Sequence, residues 1–182
     1  MFYKSIESEF EVKFQALDKE KNAGAGLVIE GYASLFGKAD QSGDVVQRGA
    51  YETSLATKKL SNTPIKMLWQ HDPTQPIGIW DEVKEDKNGL YVKGRILEEI
   101  QAGREALVLL KSGAIDGLSI GYRTVRSSKN SKGGRDLSEV ELWEVSLVTF
   151  PMLPEARVGA SKSDPVSELA DIISQARSEL LG

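Results

Sequence analysis

Residues 140–150 read VELWEVSLVTF, and Pro151 follows them directly. Apolar side chains occupy both alternating faces of this run, whereas a strand with one wet face alternates between apolar and polar residues. The pattern therefore predicts a long strand buried within a sheet. The proline at its end cannot continue the hydrogen-bond ladder, so the strand stops there.

A charged residue lies among the apolar positions of this strand. Glu144 shares a face with Leu142 and Val148, where an ionised carboxylate costs several kcal/mol unless it is paired or hydrogen-bonded. A histidine imidazole would satisfy the carboxylate, and so would a buried arginine such as Arg95 or Arg123.

The chain contains a single histidine and no cysteine. This inventory excludes disulfides, thiol nucleophiles, cysteine-based zinc sites and sites with several histidines. An enzyme using imidazole chemistry would have to use His71, which ends a predicted strand over 65–71 just before Asp72-Pro73. A lone histidine in such a place is more often structural than catalytic.

Ser119 is the candidate nucleophile, in the sequence Gly117-Leu118-Ser119-Ile120-Gly121 at the start of a predicted strand over 118–125. Glycines on both sides would let a substrate approach the backbone and would leave the serine Oγ uncrowded. The alternative is an ordinary strand serine between two turn glycines. The spacing differs from the Gly-x-Ser-x-Gly elbow.

The remaining pattern predicts an α+β domain with a mainly antiparallel sheet or barrel. The chain has 182 residues, 40% of them hydrophobic, and a net charge of −4, which gives no reason to expect nucleic acid as a partner. It contains no bilayer-spanning run and no signal peptide, so an intracellular protein is expected. The other predicted elements are strands over 10–17, 27–36, 77–83 and 89–96, helices over 50–58 and 102–112, a loop over 37–49 and a hairpin tip over 127–134.

Four motifs occur in order along the chain, and together they are far more specific than any one alone. Over residues 28–157 the sequence resembles the phage prohead protease family, the capsid maturation proteases of tailed phages. The motifs are Ile29-Glu30-Gly31-Tyr32-Ala33-Ser34-Leu35-Phe36, Leu68-Trp69-Gln70-His71-Asp72 with Pro76-Ile77-Gly78, Gly117-Leu118-Ser119-Ile120-Gly121-Tyr122, and Glu144-Val145-Ser146-Leu147-Val148-Thr149-Phe150-Pro151.

The resemblance implies a fold similar to the herpesvirus assemblin proteases, with an antiparallel β-barrel-like core surrounded by helices. It implies a serine-type peptidase with His71 as base and Ser119 as nucleophile. Herpesvirus enzymes carry a second histidine as the third member, which this chain lacks; Glu144 is expected there, with Glu141 in reserve. The oxyanion hole is expected in the loop over 151–157.

The resemblance also implies substrates and a location. Such proteases cleave scaffold protein or the scaffold-like region of the major capsid protein, and often themselves, inside the procapsid in the host cytoplasm. Self-association is expected as well, and neither a cofactor nor a metal ion. The alternative is a non-catalytic assembly protein that keeps the protease fold, which the intact pair of His71 and Ser119 argues against. A metal-dependent hydrolase is a poor third reading, because the carboxylates show no convincing ligand spacing.

Composition changes after Pro154, so a protease domain is expected over 1–158 and a tail over 159–182. Within the tail, residues 160–164 read as a linker open to self-cleavage. Residues 166–181 have the apolar spacing of a helix, which either binds scaffold or packs on the core.

Overall fold

The computed structural model describes residues 27–158, which form seven strands and two helices. The predicted strand over 10–17 and the predicted tail helix lie outside these residues. Neither described helix is long and apolar enough to cross a membrane. The elements are β1 (Leu27–Leu35), β2 (Val45–Val46), α1 (Glu52–Leu60), β3 (Lys66–Trp69), β4 (Asp72–Glu85), β5 (Gly89–Ile96), α2 (Gln101–Lys111), β6 (Gly117–Lys129) and β7 (Arg135–Val148).

The strands form one sheet in the order β1-β5-β4-β3-β7-β2, and β6 pairs with the other edge of β7. Four of the strand pairs are antiparallel, and only β2 and β3 run parallel to β7. The prediction of a mainly antiparallel sheet is therefore confirmed. Helices surrounding the core are not confirmed, since the described residues contain only α1 and α2.

The strand β7 organises the sheet, as its apolar pattern predicts. It pairs with β6 along its whole length and with β3 over Glu144–Leu147 on its other edge. Both faces are covered over its last five residues, 144–148, where Val145, Ser146 and Leu147 are fully buried. A strand with neighbours on both edges and cover on both faces needs the two-sided apolar run seen in the sequence.

The sheet curls until β1 and β6, at its two ends, approach each other. The segment after β7 runs between them, where Val158 bridges to Gly31 of β1 and Arg157 bridges to Gly117 of β6. A Cβ at Gly31 would overlap the carbonyl oxygen of Arg157, so only glycine permits this close approach. The closure gives the predicted barrel-like shape.

A two-residue turn between β3 and β4 differs from the prediction. The sequence pattern ends the strand at Asp72-Pro73, but β3 stops at Trp69 and β4 already begins at Asp72. Trp69 pairs with Asp72, and the pairing is irregular just beyond, so Pro73 fits within β4 without leaving a ladder bond unmade. His71 thus lies in a tight turn between two strands.

The loop before β2 is tied to the start of β7 by an ion pair between buried Asp44 and half-exposed Arg135. The carboxylate of Asp44 accepts three hydrogen bonds of 2.5–3.1 Å from the Arg135 guanidinium and one of 2.9 Å from the Arg135 backbone N–H. Asp44 is only 7% exposed, so its charge depends on these donors. The Arg135 guanidinium holds the pKa of Asp44 below its ordinary value of 3.8.

Replacing Asp44 by Asn is expected to lower the free energy of unfolding by about 1–3 kcal/mol at pH 7, because Arg135 loses its charged acceptor. A depressed folded-state pKa stabilises the native state above the unfolded value, and this contribution disappears as the pH falls through the folded-state pKa. The difference in stability between wild type and Asp44→Asn should therefore begin to shrink only below the ordinary value of 3.8 and should vanish once the pH is below the folded-state pKa, as measured by urea unfolding across this range.

The exposed pair of Arg95 and Asp81 supplies the control. Asp81→Asn should change stability by less than about 1 kcal/mol across the same pH range. If Asp44→Asn and Asp81→Asn lowered the free energy of unfolding equally, a special role for the pair of Asp44 and Arg135 would be contradicted.

Candidate active site

Three neighbouring strands carry or flank the candidate residues, and the structure joins His71 to Glu144 but makes no hydrogen bond between His71 and Ser119 within residues 27–158. Ser146 of β7 lies opposite Ser119 of β6 on one side and opposite Leu68 of β3 on the other. His71 follows β3 by two residues and is tied to β7, since its backbone N–H donates to Ser146 Oγ at 3.1 Å. The β-sheet register thus places Ser119 and His71 on either side of β7.

The imidazole of His71 contacts the carboxylate of Glu144. The distance from Nδ1 to Oε1 is 2.6 Å, and the Glu144 side chain is 10% exposed while that of His71 is 41% exposed. A carboxylate accepts only, so Nδ1 carries the hydrogen and the neutral imidazole keeps Nε2 as its proton acceptor. The buried carboxylate thus fixes the tautomer that a general base requires.

The two arginines considered as alternative partners for Glu144 are bound elsewhere. Arg95 pairs with Asp81 at 2.9 Å, and Arg123 pairs with Glu141 at 2.8 Å. The reading of Glu144 as an arginine partner is therefore wrong. The hydrogen bond from Arg123 lowers the pKa of Glu141, which is committed to this surface pair and makes no contact with His71 among the described residues.

The two glycines that flank Ser119 make room for neighbouring parts of the same chain. Gly121 lies opposite Glu144, and a Cβ there would overlap the Glu144 carboxylate and lie 2.6 Å from its Cδ. A Cβ at Gly117 would lie 2.5 Å from the carbonyl oxygen of Val148 and 2.8 Å from Pro151 Cδ. The interpretation of both glycines as openings for substrate therefore changes, because the space beside each is already filled.

Ser119 itself is 4% exposed and lies on the wall of a cavity. Its Oγ makes no hydrogen bond within residues 27–158, unlike the hydroxyl of Ser146. Tyr51 Oη is the only fully buried side-chain polar atom without a hydrogen bond among residues 27–158, so the unpaired Oγ of Ser119 is not sealed from solvent. The free hydroxyl beside a cavity is the arrangement expected of a nucleophile that waits for substrate.

The cavity beside Ser119 has a volume of about 160 Å³, which suits one amino-acid side chain and is smaller than most cofactor pockets. Ser34 and Tyr122 line it, together with the ion pair of Asp44 and Arg135. Burial raises the pKa of the Tyr122 hydroxyl, so this wall stays neutral near pH 7. The opposite charges of Asp44 and Arg135 in the same wall compensate each other.

The segment over 151–158 folds back beside β6. The carbonyl of Ala156 accepts the Leu118 N–H at 2.8 Å, and the Val158 N–H donates to the Asp116 carbonyl at 2.6 Å. Gln41 holds the start of the segment through the carbonyls of Pro151 and Met152. The loop suggested as an oxyanion hole is thus fixed one residue away from Ser119.

Sequence reasoning missed two contributors to the site. Ser146 is fully buried and donates to Glu144 Oε2 at 2.6 Å, a contact that its i+2 spacing from Glu144 on one strand face would have allowed. Gln70 adopts a left-handed backbone conformation beside His71, and a glutamine at this position gives no sequence signal for such a turn.

Comparison with known proteins finds relatives by sequence and by fold. The family model for caudovirus prohead serine proteases matches residues 11–168. The prohead protease of Enterobacteria phage HK97 is 29% identical over 90% of this chain and 71% of its own length. The capsid polyprotein of Pseudomonas phage PAJU2 is 35% identical over 86% of this chain and 22% of its own length.

Solved structures include a similar fold. The bacteriophage T4 capsid assembly protease superposes with a TM-score of 0.61 at 18% identity, covering 78% of this chain and 92% of that protein. A herpesvirus protease from KSHV gives a TM-score of 0.46 at 15% identity, covering 82% and 77% of the two chains. With its family model matched over most of its length, this chain belongs to the caudovirus prohead serine proteases.

Proposed function

We propose that this protein cleaves peptide bonds through an acyl-enzyme formed on Ser119, with His71 as general base and Glu144 as the partner of the imidazole. The observation that carries the proposal is the 2.6 Å contact between Glu144 Oε1 and His71 Nδ1. It leaves Nε2 as the proton acceptor in a chain that has no other imidazole.

The reaction follows from the roles of these groups. Ser119 Oγ attacks the scissile carbonyl while His71 Nε2 takes its proton, and Glu144 stabilises the imidazolium that forms. The proton then passes to the leaving amine as the C–N bond breaks. Water, deprotonated by the same imidazole, hydrolyses the ester and frees Ser119. Backbone N–H groups of the 151–157 segment would bind the oxyanion.

A polypeptide substrate suits the surroundings of Ser119. The Leu118 N–H points away from β7, toward Ala156, so strand alternation turns the Ile120 backbone groups toward the same edge. Within the described residues, β6 pairs with no strand other than β7. An extended peptide would find backbone partners at this edge, and one of its side chains would enter the 160 Å³ cavity.

We infer that the substrates are the scaffold protein or the scaffold-like region of the major capsid protein, and the protease itself. The PAJU2 relative is named a capsid polyprotein, and the similar region is only 22% of it, so there a related segment is part of a longer capsid polypeptide. Cleavage would take place inside the procapsid in the host cytoplasm, where self-association would concentrate the enzyme. The 160–164 linker is the expected self-cleavage site.

A fluorophosphonate probe tests the proposed nucleophile without knowledge of the substrate. Incubation of the native protein should add one probe, because phosphonylation requires an activated serine. Mass spectrometry of the digest should place it on the peptide that contains Ser119. The heat-unfolded protein, in which His71 no longer activates the serine, should remain unlabelled.

Labelling at another serine, or the same labelling before and after unfolding, would contradict the assignment. A native protein that takes up no probe and leaves its capsid precursor intact would instead fit a non-catalytic assembly protein.

A further inference from the structure

The hydroxyl of Ser146 contacts both Glu144 and His71. Its Oγ donates to Glu144 Oε2 at 2.6 Å and accepts the backbone N–H of His71 at 3.1 Å. Ser146 is fully buried, and the proposed reaction assigns it no chemical step. An ionised carboxylate only accepts and an N–H only donates, so both contacts fix the hydroxyl in one orientation.

The turn that carries His71 needs external support. Gln70 and His71 both have positive φ angles, 54° and 63°, in a two-residue connection between β3 and β4. Such turns favour asparagine, aspartate and glycine, and a glutamine there is strained. The turn therefore persists only where contacts with the rest of the fold hold it.

The hydrogen bonds that hold the turn join it to the end of β7 and to Thr149 just beyond. The Gln70 N–H donates to the Leu147 carbonyl at 2.9 Å, and the Gln70 side chain exchanges hydrogen bonds of 2.7 Å and 3.2 Å with Thr149. Ser146 adds the bond to the His71 N–H. The same short segment thus holds both the backbone of the turn and, through Ser146, the carboxylate that orients the imidazole.

We propose that Ser146 is a positioning residue, whose hydroxyl holds the Glu144 carboxylate and the strained Gln70–His71 turn in the one geometry that keeps Nδ1 on Oε1. The proposal rests on the proposed function for its effect on catalysis. Without the hydroxyl, Glu144 loses one of its two anchors and His71 loses the only bond from its own N–H within the described residues.

Ser146→Ala is the direct test. We expect the second-order rate of fluorophosphonate labelling at Ser119 to fall about 10- to 100-fold, the size expected for the loss of a hydrogen bond to a charged group. The chain has one histidine, so the imidazole N–H signal in nitrogen-15 spectra has a single source. We expect the far-downfield signal of the Nδ1 hydrogen to move upfield or to broaden by exchange with water.

Ser54→Ala is the matched control. Ser54 is also buried, at 6% exposure, and its hydroxyl also accepts a backbone N–H of β7, from Leu142. Ser54→Ala should lose a similar amount of thermal stability but keep the imidazole signal and the labelling rate. Equal losses of signal and rate in the two variants would overturn the positioning role.

Gln70→Ala tests how far the exposed hydrogen bonds with Thr149 support the turn, and it leaves the core unchanged. It removes the bonds with Thr149, and Thr149→Val removes the bond to its hydroxyl from the other side. Both should slow labelling several-fold, and wild-type rates in both would contradict the proposed support of the turn.

The imidazole signal is measured in the absence of probe or substrate, so it separates the positioning role from the proposed function. A wild-type protein that shows the signal but takes up no label would refute the proposed function alone. An unchanged signal in Ser146→Ala would refute the positioning role alone.

Discussion

Ser119→Ala is expected to slow cleavage of the proposed capsid-precursor substrate by at least about 10⁴-fold, because the proposed acyl-enzyme cannot form without the hydroxyl. The fold should survive, since Ser119 Oγ makes no hydrogen bond within residues 27–158 and alanine fits the same space. Co-expression of each variant with the capsid precursor of the same phage, followed by intact-mass spectrometry, measures the cleaved fraction.

The same experiment separates a catalytic role from a folding defect. Ser128→Ala changes an exposed serine on the same strand and should leave cleavage at the wild-type level. The double variant Ser119→Ala with His71→Ala should be no slower than Ser119→Ala alone, because residues that act as one unit are strongly non-additive. Precursor cleaved at the normal rate by Ser119→Ala would refute the acyl-enzyme.

The long strand could be predicted from sequence because its signal is local. An apolar run on both faces of one strand requires neighbours on both edges and cover on both faces, which β7 has. The buried carboxylate of Glu144 was visible for the same reason, since the pattern placed a charge on an apolar face. Whether Glu144 pairs with His71 or with an arginine depends on the strand order. That order places β3 beside β7, while Arg95 pairs with Asp81.

The turn at His71 could not be predicted, because its conformation is imposed by distant contacts. Gln70 has no intrinsic preference for positive φ, and Pro73 is typical of the end of a strand. Hydrogen bonds that the turn donates to Ser146 and Leu147, and those it exchanges with Thr149, hold it in place. A local sequence pattern does not predict a backbone conformation that contacts with the rest of the fold impose.

Gly121→Ala is expected to slow labelling and cleavage about 10²- to 10⁴-fold, approaching the effect of removing Glu144 itself. The new methyl group would occupy the position of the carboxylate, at 2.6 Å from Glu144 Cδ, so the side chain must turn away from His71. Without its partner the imidazole loses its fixed tautomer. Labelling kinetics with the fluorophosphonate measure the loss, and thermal unfolding shows whether the variant remains folded.

A double-mutant cycle with Glu144→Ala decides between this mechanism and general damage to the strand. If Gly121 matters because it leaves room for the carboxylate, then Gly121→Ala should cost little in a Glu144→Ala background, where alanine leaves that space empty. An equal loss in both backgrounds would mean that the methyl group disturbs Ser119 directly, two residues along β6. Since the β6–β7 register sets Gly121 opposite Glu144 and Ser119 opposite Ser146, we expect the first result: the glycine serves the carboxylate, and through it the base.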